Sequence, residues 1–193
     1  RITVSGQENI PQGAVVFISN HQGNFDIPLM LSTCGRLVGF VSKIEIKKLP
    51  IVRSWMEFIH CVFINRSNPR EAMMLLLRDS VKTLQEGYSL HISPEGTRSR
   101  GGPVARFKYG GFKMAITADV PIVPVMIDGT YHIMEEHHGW IHSGDVAIRY
   151  LPPIYPGKLT KEEQSVLHET VRQQIIDAME ESRNPEVEWK ERI

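Results

Sequence analysis

The sequence predicts an α/β fold, a single domain in which a mostly parallel or mixed sheet is flanked by helices. Segments with strand and helix patterns alternate along the chain. Residues 14–19 form a continuous apolar run, which is typical of a strand buried on both faces of a sheet. At 193 residues, with 41% hydrophobic and 23% charged residues, the chain suits one folded domain with a sizeable core. We expect that domain at residues 1–183, followed by a polar tail at residues 184–193.

The first half of the chain alternates between the two patterns. A helix is predicted over residues 26–34, because Gly35 follows it as a terminating glycine. The apolar run at residues 37–42 predicts the next strand. Residues 50–60 carry apolar side chains at helical spacing, and a short strand is predicted directly after them at residues 61–64.

Two capping patterns mark further helices. Asn68-Pro69-Arg70-Glu71 combines a cap residue, a proline in the first turn and a glutamate, and the helix that it begins ends at Gly87. Thr160-Lys161-Glu162-Glu163 is a capping box that begins a helix extending to Ser182. A shorter helix is predicted at residues 111–119. The remaining strands are predicted at residues 88–93, 122–127 and 146–151.

The alternation also predicts which polar residues meet. In open α/β sheets, ligands bind at the loops beyond the carboxyl ends of the strands. Asn20-His21, Arg66 and Glu95 each follow a predicted strand at that end, so we expect them on one rim. Pro124 has no amide hydrogen to donate to a neighbouring strand, which predicts an edge position or a bulge for residues 122–127.

A histidine and a carboxylate follow the first predicted strand. His21 and Asp26 are five positions apart in Asn20-His21-Gln22-Gly23-Asn24-Phe25-Asp26. The carboxylate can accept a hydrogen bond from one ring nitrogen, which fixes the tautomer and leaves the other nitrogen free to take a proton. An Asp at the start of a helix also has a purely structural use as a cap. The position at a strand end, beside other polar loops, favours a catalytic base with its orienting group.

A second polar loop follows the predicted strand at residues 88–93. It reads Ser93-Pro94-Glu95-Gly96-Thr97-Arg98-Ser99-Arg100. Gly96 permits a tight backbone whose N–H groups can face an anion, and Arg98 can hold a phosphate through two parallel hydrogen bonds. The alternative is a polar turn in which Glu95 and Arg98 pair with each other.

Basic residues concentrate in the middle of the chain. Residues 36–113 contain 14 Lys and Arg against 6 Asp and Glu, although the whole chain has no net charge. Arg66 and Lys108 lie at strand or loop ends in this region, and Lys43 follows a strand as a further candidate. This balance suits an anionic substrate or an anionic membrane surface. A base together with several fixed cations indicates a reaction on a hydroxyl of a phosphorylated substrate.

Several other functions lack their sequence signals. The two cysteines, Cys34 and Cys61, have neither metal-ligand nor redox spacing, which indicates reduced thiols in a cytoplasmic compartment. Glu135-Glu136-His137-His138 resembles metal ligands in composition, but no further ligands have matching spacing, so a surface loop is expected. The chain has no Walker loop, and no window of 18 uninterrupted apolar residues that would predict a transmembrane helix.

These motifs resemble those of the lysophosphatidic acid acyltransferase family of glycerolipid acyltransferases, the 1-acyl-sn-glycerol-3-phosphate acyltransferases. The resemblance extends over residues 4–155, and one departure is Gly23, where the family usually has a serine. Four motifs agree in order and spacing: the segment from Asn20-His21 to Asp26, Phe63-Ile64-Asn65-Arg66, Ser93-Pro94-Glu95-Gly96-Thr97-Arg98-Ser99, and Val120-Pro121-Ile122-Val123-Pro124-Val125.

The resemblance implies transfer of a fatty acyl group from acyl-CoA or acyl carrier protein to the free hydroxyl of lysophosphatidic acid, giving phosphatidic acid, with no cofactor and no metal. It implies that His21 takes the proton of the acceptor hydroxyl and that Asp26 orients His21. The residues that it implies for substrate binding are Arg66, Lys108, Lys43, Glu95, Gly96, Thr97 and Arg98. The first two are the leading candidates to hold the phosphate, and Glu95 and Gly96 would shape the acceptor site.

Alternatives remain at this point. The acceptor could be glycerol-3-phosphate or a lysophospholipid with a larger head group, and the fold could serve a non-catalytic lipid-binding module. A hydrolase with its own nucleophile lacks the Gly-x-Ser-x-Gly elbow, although Ser19 lies close to His21 in the sequence.

A membrane surface is the remaining expected partner, and no nucleic acid is expected. The first residue is Arg1, so we expect that an N-terminal part, including the membrane-associated segment of many relatives, is missing from this sequence. We expect peripheral association with the cytoplasmic side of a membrane. The large apolar residues Trp55, Met56, Phe58, Met73, Met74 and 75–77 are most simply core residues. The alternative places some of them at a membrane surface or along an acyl tunnel.

Overall fold

A seven-stranded mixed sheet forms the centre of the protein in the computed structural model, which describes residues 1–65 and 69–184, with only the backbone for residues 69–72. The strands are β1 (Ile2–Ser5), β2 (Val16–Ser19), β3 (Val38–Lys43), β4 (Val62–Ile64), β5 (Ser89–Ile92), β6 (Ile122–Asp128) and β7 (Val146–Tyr150). Their order in the sheet is β1-β7-β6-β2-β5-β3-β4. Every pair is parallel except β6 with β7. The predicted α/β class and mixed sheet are confirmed.

Five α-helices connect and cover the strands of the described chain: α1 (Asp26–Thr33), α2 (Pro50–Phe58), α3 (Pro69–Gln85), α4 (Gly110–Ala118) and α5 (Lys161–Arg183). The predicted capping box begins α5. Thr160 Oγ1 accepts from the Glu163 amide at 3.2 Å, and Glu163 Oε2 accepts from the Thr160 amide at 2.7 Å. The predicted helices therefore all exist, with ends that differ by one or two residues.

The core has one layer on each face of the sheet. On one face, β2 and β5 pack against α3, α4 and α5 through side chains such as Ile18, Leu90 and Phe112. On the other face, Phe17 and Val125 pack against α1. All four residues of β2 are buried, as the uninterrupted apolar run predicts, and β2 therefore lies at the centre of the sheet.

The predicted edge or bulge position for β6 is wrong. This strand lies between β7 and β2, and its register with β2 runs from Ile122 to Val125 without interruption. The carbonyl of Pro124 accepts from the Leu151 amide at 2.8 Å, beyond the end of β7. The N and O of a residue in an antiparallel ladder point to the same side. The missing amide hydrogen therefore faces the point where β7 has already ended, and the proline fits an interior strand.

The prediction that the large apolar residues near α2 and α3 are core residues is wrong for half of them. Met56 and Leu76 are buried, but α2 exposes an apolar stripe instead of covering it. The exposed members of the set are Trp55, Phe58, Met73 and Met74. None of the described helices combines the length and the apolar character that crossing a bilayer requires.

The first strand was not predicted. β1 is a four-residue edge strand that pairs with β7, more than 140 positions away in the chain. Its segment is too short to show a period of its own, and only the partner strand identifies it. The predicted polar tail beyond Asn184 lies outside the described residues.

Candidate active site

Three neighbouring strands end at the same rim of the sheet. β6, β2 and β5 are adjacent and parallel, so their carboxyl ends lie side by side. His21 follows β2 by two residues, Glu95 follows β5 by three, and Thr130 follows β6 by two. His21 and Glu95 are in direct contact, since the His21 amide donates to Glu95 Oε1 at 2.7 Å. The structure thus brings these two predicted site residues together.

The predicted His–Asp pair is formed. His21 Nδ1 lies 2.6 Å from Asp26 Oδ2, and the Asp26 side chain is only 1% exposed. The carboxylate also accepts from the amides of Gln22 and Gly23 and from the Thr130 hydroxyl. Because donors surround it, the carboxylate can only accept, and it therefore holds the proton of His21 on Nδ1.

The other ring nitrogen of His21 is available for chemistry. A quarter of the His21 side chain is exposed, and Nε2 has no hydrogen-bond partner within residues 1–65 and 69–184. The backbone of His21 is fixed on both sides, because its carbonyl accepts from the Ser99 amide at 2.8 Å and its amide donates to Glu95. A ring held in this way presents Nε2 as a proton acceptor at the rim.

Glu95 joins the two predicted motifs. Its two carboxylate oxygens accept from the His21 amide at 2.7 Å and from the Ala105 amide at 2.8 Å. Burial raises the pKa of Glu95, and the two backbone donors oppose that shift in part. The alternative in which Glu95 pairs with Arg98 is therefore wrong. Glu95 shapes the site by holding the backbone of His21.

Arg98 binds a carboxylate that the sequence analysis did not assign to the site. Its Nη1 donates to Glu135 Oε1 at 3.1 Å and to Asn24 Oδ1 at 2.5 Å. The Asn24 amide in turn donates to Glu135 Oε1 at 2.7 Å. Arg98 thus has partners in two neighbouring loops of the rim.

Lys108 lies directly beside the glycine of the second polar loop. Gly96 has a φ of +76°, and a Cβ at this position would be 2.8 Å from Lys108 Nζ. The Lys108 amide donates to Pro94 O at 3.1 Å, which fixes this part of the loop. Lys108 is exposed and has no carboxylate partner in the described chain. Its ammonium group is therefore free to meet an anion.

The other predicted binding residues are Lys43, Thr97 and Arg66. Lys43 ends β3 and is exposed, and Thr97 is exposed in the loop between β5 and α4. Arg66 lies outside the described residues. The assignment of these three side chains to substrate binding stays a prediction.

A buried polar cluster beneath the rim was missed. His91 Nε2 lies 2.8 Å from Ser19 Oγ, which also contacts Ser93 Oγ at 3.2 Å. Burial lowers the pKa of His91 to about 3, and the nearby His21 contributes to that shift, so His91 is neutral. The register of β2 with β5 places His91 opposite Phe17 and next to Ser19. Sequence periodicity does not give that register, so no sequence signal identified the cluster.

Thr130 and Glu135 were missed as well. Both lie in the loop after β6, where sequence analysis recognised the strand but not the residues beyond its carboxyl end. Thr130 follows its strand by two residues, as His21 does, so its place at a strand end marks it as a site residue. Glu135 lies seven residues beyond the strand, too far for its position to be predicted from the strand end.

The fold and the site together define a class: an α/β protein in which a buried carboxylate orients a histidine at the carboxyl rim of the sheet. The comparisons with known proteins place it more narrowly. A model of the Acyltransferase family matches residues 1–128. The chain belongs to this family.

Named relatives agree with one another. The chain is 34% identical over 179 residues to a chloroplastic 1-acyl-sn-glycerol-3-phosphate acyltransferase from Brassica napus, covering 91% of this chain and 50% of the relative. It is 30% identical over 181 residues to the 1-acyl-sn-glycerol-3-phosphate acyltransferase of Borreliella burgdorferi, covering 93% and 72%. The chain thus spans about half the length of the plant relatives it matches.

A solved structure has the same fold. The crystal structure of the 1-acyl-sn-glycerophosphate acyltransferase PlsC from Thermotoga maritima matches with a TM-score of 0.83 at 31% identity. The match covers 97% of this chain and 74% of that chain. The likeness therefore includes almost every described element of the sheet and its helices.

Proposed function

We propose that this protein is an acyltransferase that moves a fatty acyl group from a thioester donor, acyl-CoA or acyl carrier protein, to the free hydroxyl of lysophosphatidic acid, giving phosphatidic acid. The observation that supports this most is the His21–Asp26 pair, with Nδ1 held by a buried carboxylate and Nε2 without a hydrogen-bond partner among the described residues. The names of the relatives support lysophosphatidic acid as the acceptor.

The proposed reaction needs no covalent acyl-enzyme. His21 Nε2 takes the proton of the acceptor hydroxyl as the hydroxyl oxygen attacks the thioester carbonyl carbon. The tetrahedral intermediate then collapses, the carbon–sulfur bond breaks, and the leaving thiolate takes the proton back from the imidazolium. Asp26 stabilises the imidazolium between these steps. The substrate hydroxyl thus has the part of the serine in a Ser-His-Asp triad.

The acceptor phosphate needs fixed cations near the base. We assign Lys108 to this phosphate, because its ammonium group lies beside Gly96 and has no acidic partner among the described side chains. Arg66 in the second motif is the second cation, and Lys43 at the end of β3 is the third. Arg98 contributes less, because Glu135 already neutralises it.

A hydrolase is less well supported. A serine hydrolase needs a hydroxyl within reach of the base, but Ser19 is buried and bonded to His91 instead of His21. Labelling with an active-site serine reagent tests this alternative directly. No labelling is expected at Ser19, and stoichiometric labelling there would support the hydrolase.

The acceptor class is tested with a panel. Purified protein is incubated with acyl-CoA and separately with lysophosphatidic acid, glycerol-3-phosphate and lysophospholipids with larger head groups, and the products are read by mass spectrometry. Acyl-loaded carrier protein replaces acyl-CoA in a parallel series. Phosphatidic acid as the main product supports the proposal. Acylation of another acceptor alone would move the proposal to that acceptor, and no product with any acceptor would favour a lipid-binding module.

The exposed stripe of α2 suits a membrane surface. This stripe, which we call the α2 face, consists of Ile51, Val52, Trp55 and Phe58. All four side chains are exposed, with exposed fractions of 86% for Ile51 and 71% for Phe58. Their spacing places them on one side of the helix. A basic segment precedes them: Lys43, Lys47 and Lys48. An apolar stripe beside basic residues suits insertion into the interface of a bilayer that contains anionic lipids.

Vesicle flotation tests the membrane contact. Binding should be stronger to anionic than to neutral vesicles and weaker at high salt. Phe58→Ser should reduce binding, whereas Val166→Ser, which removes an exposed apolar side chain from α5, should not. Equal binding of both variants and the wild type would contradict the assignment of the α2 face. The free thiols of Cys34 and Cys61 suit the reducing, cytoplasmic side of the membrane.

A further inference from the structure

One buried carboxylate joins three loops of the rim, although the proposed reaction does not use it directly. Glu135, in the loop after β6, has a side chain that is 5% exposed. Its Oε1 accepts from the Asn24 amide at 2.7 Å and from Arg98 Nη1 at 3.1 Å. The same Arg98 nitrogen donates to Asn24 Oδ1 at 2.5 Å. These three bonds form a closed ring between the loops that follow β2, β5 and β6.

The space that Glu135 occupies exists because residue 23 is a glycine. A Cβ on Gly23 would lie 2.6 Å from Glu135 Oε2 and 3.1 Å from its Cδ. Gly23 is not among the residues with positive φ, so its backbone would accept a side chain. The glycine thus accommodates the close approach of the carboxylate and of the Thr130 carbonyl, which would lie 3.3 Å from a Cβ here, and the conformation of the chain does not require it.

The arrangement leaves one oxygen without a partner. Glu135 Oε2 is buried and accepts no hydrogen bond from the described residues. A buried carboxylate oxygen without a donor is costly, so such a placement calls for a compensating role. The compensating contacts are those of Oε1, which holds the Asn24 amide in the middle of the segment that connects His21 to Asp26.

We infer that Glu135 is a positioning residue for the His21–Asp26 pair. It acts through Asn24, and the same loop contacts Asp26 through the Thr130 hydroxyl. The Gly129 amide also donates to Gln22 Oε1 at 2.8 Å, so the loop after β6 holds the catalytic segment at three points. Arg98 belongs to this arrangement as the counter-charge of Glu135. The inference rests on the proposed acyl transfer for its kinetic consequence, but the contact itself is independent of the reaction.

The test compares Glu135→Ala with Glu136→Ala. Glu136 is the neighbouring exposed carboxylate, and its side chain pairs with His132 in the same loop. For each folded variant, kcat and the KM for lysophosphatidic acid are measured, together with hydrogen–deuterium exchange of a peptide spanning residues 20–26. Glu135→Ala should lower kcat by about 10- to 100-fold, because small displacements of reacting groups have effects of that size. The KM should stay near the wild-type value, and exchange at residues 22–25 should accelerate.

The control and a conservative variant make the outcome specific. Glu136→Ala should leave kcat and exchange unchanged. Glu135→Gln should lose less activity than Glu135→Ala, because a glutamine oxygen can still accept from the Asn24 amide. As a single change, Gly23→Ala should lower kcat, but it should add little to Glu135→Ala, because the closest contact of the new methyl group, with Glu135, is then removed.

Three results would overturn the inference. They are unchanged exchange at residues 22–25 in Glu135→Ala, a fall in activity fully explained by a smaller folded fraction, or an equal effect of Glu136→Ala. Failure of the proposed function looks different, because the wild type would then transfer no acyl group while the exchange difference between the two variants would persist.

Discussion

Replacing Asp26 with Asn removes the charge beside His21 and leaves a side chain of nearly the same size. Asp26 Oδ2 faces donors that cannot turn, the His21 Nδ1–H at 2.6 Å and the Gln22 amide at 2.8 Å. Oδ1 faces the Thr130 hydroxyl, which can rotate to become an acceptor. The Gly23 amide lies 3.2 Å from both oxygens and can keep its bond to Oδ2. The new amide should therefore point its NH₂ toward Thr130 and keep its oxygen on His21. The tautomer of His21 survives, and the loss of charge is the main perturbation.

The size of the effect follows from the geometry. The imidazolium that forms during proton transfer and the carboxylate are opposite charges in contact, with Nδ1 2.6 Å from Oδ2, and are largely shielded from solvent. With charge centres about 4 Å apart and an effective dielectric constant of about 20, their attraction is worth about 4 kcal/mol. Because this attraction is present in the transition state and much weaker for the neutral ring, kcat should fall by about 10³-fold.

The assay is steady-state transfer to lysophosphatidic acid by purified Asp26→Asn, with the folded fraction taken from circular dichroism and thermal melting. Asp145→Asn is the matched control, since Asp145 is an exposed carboxylate of the loop after β6, 86% exposed. It should keep the wild-type kcat. A near-normal kcat in folded Asp26→Asn would refute the reasoning that the charge of Asp26 supports the base.

Three further predictions concern the phosphate, the buried histidine and the longest helix. Lys108→Ala should raise the KM for lysophosphatidic acid by about 10- to 100-fold, since hydrogen bonds to charged groups contribute about 1.5–3 kcal/mol. The exposed Lys113→Ala should leave the KM unchanged. Burial lowers the pKa of His91 from its ordinary value of 6.5 to about 3. Between these pH values, His91 is therefore protonated in the unfolded chain and neutral in the folded protein. Stability should therefore fall as the pH decreases between these values, by about 1.4 kcal/mol per pH unit from this group, and His91→Gln should remove that slope in urea titrations; parallel slopes would contradict it. Thr160→Ala should lower the free energy of unfolding by about 1 kcal/mol through loss of the α5 cap, measured against Thr170→Ala within the same helix, and equal effects of the two would contradict the cap.

The parts of the site that are close in sequence were predictable. His21 and Asp26 lie on one segment, so a single turn after β2 is enough to join them. The contact between His21 and Glu95 crosses 74 positions, but the rule that parallel strands end at one rim predicts it. The His–Asp pair and the rim therefore follow from local spacing and general topology.

The other parts depend on pairings that no local pattern encodes. The sequence left open a pairing of Arg98 with Glu95, three positions away, but its carboxylate partner is Glu135, 37 positions away. Loop conformation decides that choice, and the sequence shows no periodicity in loops. The edge or bulge position predicted from Pro124 was wrong for a similar reason, because whether a proline fits an interior strand depends here on where the partner strand β7 ends.

Hydrophobicity alone also could not separate core from surface in the middle of the chain. Trp55 and Met56 are adjacent apolar residues, yet Met56 is buried and Trp55 is 46% exposed. The helical stripe was predicted correctly, but its direction, toward the sheet or toward a partner, is a property of the packed molecule.

The most direct test of the central claim is acyl transfer by His21→Ala. Purified wild type and variant are given lysophosphatidic acid and acyl-CoA, or the acyl carrier protein if the wild type prefers it, and phosphatidic acid is quantified by mass spectrometry. If His21 is the general base, the folded variant should lose about 10²- to 10⁴-fold in turnover. Formation of phosphatidic acid at a near-normal rate by folded His21→Ala would contradict the account.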